Sequence, residues 1–277
     1  MVKSIKLIIT VILICWVIMA GGCNIDLAGL IASNDLGERL KERSNFVFLT
    51  ENDRTPQLGE EYSFIVLADT HIESGNSQGL EKLAGVIAAD NDIKFVIITG
   101  DITQYGSDKD IRLFLEIAGE FGVPCYPVAG NHDVYFGNWP VWKKYIGSTR
   151  YRIDGDSATL FILDTANAFI GKDQLDWLER EIKTASGNVF VFTHSNLFTG
   201  GFANVQQLSE SRERARLVSI LQGKCDIMFM GHSHKRVIKN TAGVKYISIE
   251  DFYSTRYYCL VSVTKTGIKY DFIKLPN

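Results

Sequence analysis

Cysteine is scarce, with five in 277 residues. Cys15 lies inside an apolar N-terminal run and Cys23 just after it, while Cys125, Cys225 and Cys259 sit in or beside other apolar runs. That distribution excludes an even disulfide framework and a thiolate metal site, and the last three read as small buried hydrophobes. Charge of one sign is also lacking: 29 basic against 32 acidic residues give a net −3. No global field recruits nucleic acid, so no specific nucleic-acid binding is expected, and an anionic substrate must be attracted locally. Leu7 to Ala20 is a 14-residue stretch without a charge, short of the roughly 18 apolar residues of a spanning helix. Internal repeats and low-complexity segments are absent.

What is present begins with an export signal. Lys3 and Lys6 precede the 14-residue run, the charge pattern and length of a secretory leader. Ala20-Gly21-Gly22-Cys23 then resembles the lipobox of bacterial lipoproteins, in which the cysteine is lipidated and becomes the mature N-terminus; the departure is Ala20, where that motif usually has leucine. Cleavage without lipidation and an uncleaved anchor stay open. The expectation is a signal peptide over 1–22, lipidated Cys23 with a tether over 23–45, and one domain over 46–277. The protein would be exported and anchored to the outer face of the cytoplasmic membrane, or held in the periplasm or at the cell surface. A short polar helix is expected around Asp35–Arg43 and an edge strand at Phe46–Leu49.

With 46% hydrophobic and 22% charged residues the rest can bury one sizeable core. From Tyr62 onward, short β-branched runs alternate with segments of helical period, which predicts an α/β domain with a largely parallel inner region. After Gly231 the style changes to four successive β segments, Lys235–Lys239, Gly243–Ile249, Tyr257–Val263 and Gly267–Ile273, which suit an antiparallel second sheet.

Ligand sites of open α/β sheets lie beyond the carboxyl ends of strands, and each apolar run here ends in a short motif. Asp69-Thr70-His71, Gly100-Asp101, Gly130-Asn131-His132-Asp133, His194 and Gly231-His232-Ser233-His234 follow five of them. Any one is an ordinary turn. However, the five histidines in these motifs are all the histidines of the chain, whereas core or surface histidines would scatter. Neutral imidazoles with hard oxygens suit first-row dications such as Mn, Fe or Zn. A carboxylate can bridge two ions about 3.5–4 Å apart, with the water between them acidified to hydroxide for in-line phosphoryl displacement.

The ordered set resembles the calcineurin-like metallophosphoesterase superfamily, from about Ser63 to His234. The resemblance implies a four-layer α-β-β-α sandwich, with two mixed sheets flanked by helices and two divalent ions at the strand ends. It implies that Asp69, His71 and His234 hold one ion, Asn131, His194 and His232 the other, and Asp101 bridges. His132 would stay unliganded and neutralise the phosphoryl group or protonate the leaving oxygen, with Asp133 orienting it. Purple acid phosphatases replace the histidine of Asp-x-His and carry a tyrosine three positions after the bridging aspartate. His71 is present here and that position is Gln104, which is closer to the phosphodiesterase-like branch.

Specificity is expected from the loops Ile72–Gly79, Val134–Arg150, Ser195–Gln206 and Phe252–Arg256. Most of their aromatics are expected to pack the loops, while Arg150 or Arg256 would touch the distal part of the substrate. The leading expectation is hydrolysis of phosphodiesters. A phosphomonoesterase, an envelope lipid- or sugar-phosphate hydrolase and a catalytically silent interaction scaffold are the alternatives. No obligate protein partner is evident.

Overall fold

The computed structural model of the protein describes residues 35–43, 55–198 and 207–276. The leader, Cys23 and the Phe46–Leu49 segment lie outside these residues. Among the described residues no helix is long and apolar enough to cross a membrane.

The apolar runs form two sheets. The first has the order β11-β10-β1-β2-β3, built from β1 (Tyr62–Leu67), β2 (Ile93–Ile98), β3 (Cys125–Pro127), β10 (Tyr257–Thr264) and β11 (Gly267–Lys274). The second has the order β4-β5-β6-β7-β9-β8, from β4 (Tyr151–Asp154), β5 (Ala158–Ile162), β6 (Asn188–Thr193), β7 (Ile227–Met230), β8 (Val237–Thr241) and β9 (Val244–Ser248). β1, β2 and β3 run parallel, as do β5, β6, β7 and β9, while β10, β11, β4 and β8 are antiparallel to their neighbours.

Both faces of the central strands are covered, which is why they read as continuous apolar runs rather than as alternating patterns. From β1, Phe64 and Val66 point into the core between the sheets. Ile65 and Leu67 point outward to the helices Gln78–Ala88 and Asp108–Gly119. The outer face of the second sheet is covered by Lys172–Glu181 and Ser211–Leu221, through Leu175, Leu178, Leu217 and Leu221. The result is the expected four-layer sandwich. Helix Asp108–Gly119 starts where it does because the Ser107 hydroxyl accepts from the Asp110 amide, with Asp108 and Asp110 in the positive first turn. Phe64 centres the inter-sheet core, stacked on Phe95 at 4.5 Å and edge-on to Phe190 at 5.0 Å.

The trailing strands depart from expectation. They do not make one antiparallel second sheet but divide between the two. β9 adds parallel to β7 with β8 folded back on it as an edge hairpin, turned by Ala242 and Gly243 at φ 54° and 76°. β10 instead pairs antiparallel with β1, Tyr62 opposite Val263, because alternate residues Cys259, Val261 and Val263 belong to the inter-sheet core. Within Val134–Arg150, expected as loop, Trp139–Tyr145 is helical, since Trp139 and Trp142 are buried on one face. β4 was also unforeseen. Cys125, Cys225 and Cys259 are free and buried, and burial raises their thiol pKa values.

The short polar helix is present as Leu36–Arg39 and lies against the domain: Arg39 is fully buried.

Replacing Phe64 by Ala removes a ring wedged between both sheets and is expected to cost about 3–5 kcal/mol. Urea unfolding of the full chain measures it, with the slope unchanged.

Candidate metal centre

The loops that leave β1, β2, β3, β6 and β7 converge at one edge shared by both sheets. The β1 and β2 loops remain paired beyond the strands: the His71 amide donates to the Asp101 carbonyl at 3.0 Å, and that of Asp69 to the Gly100 carbonyl at 3.1 Å. Each chain must turn at once so that its side chains fold back over the sheet edge. The backbone shows this. Nine non-glycine described residues have positive φ, and five are Asp69, His71, Asp101, His232 and His234. Asp and His tolerate that region better than most residues, but each such conformation costs about 1–3 kcal/mol and persists only where surrounding structure enforces it. Two motif glycines allow close approach. A Cβ on Gly130 would sit 2.0 Å from the Asp101 nitrogen, and one on Gly100 would sit 2.3 Å from His194 Nδ1.

Three interlocking groups of potential ligand atoms result: Asp69, His71 and His234; Asp101, His194 and His232; and His71, Asp101 and His132. Asp101 lies between the first two. Its Oδ2 is 3.9 Å from His71 Nε2 and its Oδ1 is 3.4 Å from His194 Nε2. His234 Nε2 is 3.3 Å from Asp69 Oδ1. Asn131 Oδ1 is 3.0 Å from His194 Nε2, whose other ring nitrogen faces the Thr99 carbonyl at 3.0 Å. That hydrogen bond makes Nε2 the nitrogen turned toward Asp101. The seven residues expected as ligands are therefore brought together at one edge, where His132, expected to stay unliganded, also groups with His71 and Asp101.

Both ring nitrogens of His71 are buried without a hydrogen-bond partner. A buried polar atom left so is costly unless something else satisfies it, and a metal ion fits the mixed imidazole, carboxylate and amide donors around it. Burial lowers the His71 pKa. Burial and the neighbouring His194 push His232 down to about 4. Both imidazoles are thus neutral at pH 7, ready as ligands. For His194, burial opposes charge, but Asp101 outweighs it and raises the pKa to about 9. Asp101 is held well below the usual carboxylate range: burial works against this, and the imidazoles of His194, His132 and His232 overcome it.

His132 sits beside this set, its ring 4.7 Å from that of His71 and its backbone amide on Asp101 Oδ1 at 2.9 Å. Asp133 does not orient that ring. Its carboxylate accepts from the amides of Ile102, Thr103 and Gly130 and from the Thr103 hydroxyl, at 2.9–3.2 Å. It therefore ties the β3 loop to the β2 loop. Burial and nearby Asp101 push its pKa up to about 6 against those donors. The His132 ring is oriented instead by the Gln104 carbonyl, 2.8 Å from Nδ1.

Arg150 donates to the Leu40 carbonyl and lies over Trp177, in a cleft lined by none of the ligands. Arg256 packs against Gly79 and the Phe252 ring. Of the loop aromatics, Tyr135, Trp139, Trp142 and Phe252 are buried. Phe202 lies outside the described residues. Tyr253 reaches the centre: its amide bonds to the Asp69 carbonyl and its ring, 44% exposed, stands 6.1 Å from that of His71.

Sequence reasoning missed the support of His194. Thr165 Oγ1 accepts from the amides of His194 and Ser195 at 3.0 and 2.9 Å. The adjacent Asp164 is gripped by Arg39, Nε to Oδ2 at 2.7 Å and Nη2 to Oδ1 at 3.0 Å. Asp164-Thr165 follows β5 after Leu163 alone, so the strand-end rule could have found it. Arg39, in a polar stretch far upstream, gave no such signal. Asn196 also went unnoticed; its amide nitrogen donates to the Gly231 carbonyl and to the hydroxyls of Ser233 and Ser248, fixing the β7 loop.

Residues 62–236, well over half of the chain, match the family model described as calcineurin-like phosphoesterase. The chain belongs to that family. The chain is 30% identical over 111 residues to a Fibrobacter succinogenes protein named "Probable cyclic nucleotide phosphodiesterase", covering 37% of this chain and 42% of that one. It thus spans less than half of that relative. It is 28% identical over 201 residues to an Arcobacter nitrofigilis protein named "Probable glycerophosphodiester phosphodiesterase GpdQ", covering 62% and 71%. Its fold is that of a dimetal phosphatase from Danio rerio, with a TM-score of 0.59 at 13% identity over 78% of this chain and 99% of that one.

Two outcomes are expected of this centre. Metal entry must displace the proton that His194 holds below pH about 9. Affinity should therefore rise by about tenfold per pH unit from 6.5 towards 9 and then level off, read as buffer-dependent heat in calorimetric metal titrations. Arg39→Ala leaves the buried Asp164 carboxylate unpaired and should cost about 3–5 kcal/mol in urea unfolding.

Proposed function

We propose that this phosphoesterase hydrolyses phosphodiesters with two divalent metal ions and is held by a lipid anchor outside the cytoplasmic membrane. The observation that carries the chemistry is Asp101, a buried carboxylate with one oxygen toward His71 and the other toward His194. Asp69, His71 and His234 would hold one ion and Asn131, His194 and His232 the other, with Asp101 common to both. Bound there, the pair supplies Lewis acidity to the phosphoryl oxygens and a nucleophilic water. Mn, Fe and Zn all suit this donor set.

The protein's own groups do the rest. The carbonyl of Gln104 accepts from His132 Nδ1–H, so Nε2 is the nitrogen free to act on substrate. Protonated, it donates to the leaving oxygen of the ester. Asp133 holds the His132 loop in register with the Asp101 loop. Tyr253 stands where a leaving-group moiety would lie and offers it a stacking face. A diester is favoured because both relatives are named for diesters and because His71 and Gln104 follow the phosphodiesterase-like pattern rather than that of purple acid phosphatases.

Anchoring through Cys23 rests on the leader and the lipobox-like motif, and it would bring envelope lipid and sugar phosphates within reach. A monoesterase differs only in substrate, and missing candidate ligands would favour a silent scaffold, whereas all seven candidates are present in the sequence.

The full chain, metal-free and loaded with Mn, Fe or Zn, is tested on a bis-aryl phosphate and its mono-aryl counterpart beside Asp101→Asn. Metal-dependent turnover favouring the diester is expected, reduced more than about 100-fold in the variant. A preference for the monoester would replace the diester reading. No turnover and no bound metal would support the scaffold.

A further inference from the structure

A cleft of about 640 Å3 opens between helix Leu36–Arg39 with the residues after it and a wall made by the start of β4 and helix Lys172–Glu181. No residue of the metal centre lines it. Its walls carry five basic side chains and two acidic ones, in a chain whose net charge is −3. One of the acids, Glu181, is taken by Arg152 at 3.5 Å and Arg180 at 3.1 Å. Asp173 alone is left to face Lys41, Arg43 and Arg150, which enter none of the ion pairs found among the described residues.

The two arginines are held in place, while Lys41 is exposed at the rim. Arg43 Nη1 donates to the carbonyls of Leu40 and Glu42 at 2.6 and 3.0 Å, and Arg150 Nη2 to the same Leu40 carbonyl at 3.3 Å. One carbonyl thus draws two guanidiniums together. The Arg150 group lies 4.9 Å over the Trp177 ring, which fixes its plane. Burial, then repulsion from Arg43, lowers the Arg150 pKa, with Asp173 opposing. Arg150 is partly buried and Arg43 exposed, and a second cation held beside a partly desolvated one is unfavourable unless an anion joins them. Each guanidinium has five N–H donors, so most remain unused. A planar fork matches phosphate oxygens in pairs, and the volume lies within the roughly 300–1,000 Å3 typical of small-ligand sites.

We infer that this cleft is a second anion site, separate from the metal centre, that binds a phosphate-bearing ligand through Lys41, Arg43 and Arg150, with Trp177 as the backing for Arg150. The phosphate has two chemical sources, the headgroup of an anionic phospholipid or a soluble organic phosphate. The N-terminal wall belongs to the segment that follows Cys23, so membrane headgroups come within reach if that cysteine is lipidated.

The test uses the metal-free full chain with pyrophosphate as probe, followed by calorimetry, and co-sedimentation with phosphatidylcholine vesicles with and without phosphatidylglycerol. Arg43→Glu and Arg150→Gln are compared with His232→Ala. Pyrophosphate binding that weakens about tenfold or more in both arginine variants and is unchanged in His232→Ala is the expected result and indicates a soluble ligand. Binding only to phosphatidylglycerol vesicles, lost in the same two variants, supports the site with a headgroup as ligand. Lys41→Glu, at an exposed position, checks the site where Arg150→Gln disturbs the packing on Trp177. Binding of neither probe, or binding unaffected by Arg43→Glu and Lys41→Glu, overturns the inference.

Discussion

The carboxylate of Asp101 is the point on which both sheets close. It is buried, it lies in the loop after β2 of the first sheet, and it faces His194 and His232 from the second. An isolated carboxylate in that position would be prohibitive. It is tolerable because imidazoles approach it from several sides and the His132 amide donates to it. The same crowding that would repel a lone proton-free cluster is what a pair of dications would relieve. The centre therefore couples the packing of the two sheets to the chemistry at their common edge.

That coupling explains where strain is placed. Five candidate ligands take left-handed backbone conformations, which the loops alone would not hold. The inter-sheet aromatic core around Phe64, Phe95 and Phe190 supplies a rigid base, and the outer supports lock the loops. Asp133 joins two loops of the first sheet. Thr165 and Asn196 hold the β6 and β7 loops of the second. Arg39 extends the support beyond the sandwich, tying the N-terminal segment through Asp164 to the loop behind His194. The N-terminal segment is thus part of the structure that positions His194.

The same segment forms one wall of the basic cleft, so a single stretch of chain takes part in two electrostatic arrangements of opposite kind. Arg39 is fully neutralised inside, and Arg43 a turn later faces a cleft that is short of acid. Arg150, expected from sequence at the substrate, belongs to that second arrangement because its guanidinium is captured by the Leu40 carbonyl and the Trp177 face.

The sequence by itself determined the α/β alternation, the strand-end motifs and the seven candidate ligand positions that the fold gathers at one edge. Strands buried on both faces and a restricted histidine distribution leave a direct trace in the order of residues. The assignment of the last four strands to two sheets, the tasks of Asp133, Arg39 and Asn196, and the seat of Arg150 on Trp177 were decided only by tertiary structure. The physical reason is the range of the interactions. A motif at a strand end is local, but strand partnership depends on which core a face enters, as with Val261 between the sheets. A buried ion pair such as Arg39 with Asp164 spans 125 residues of sequence, and nothing along the intervening chain marks the two as partners.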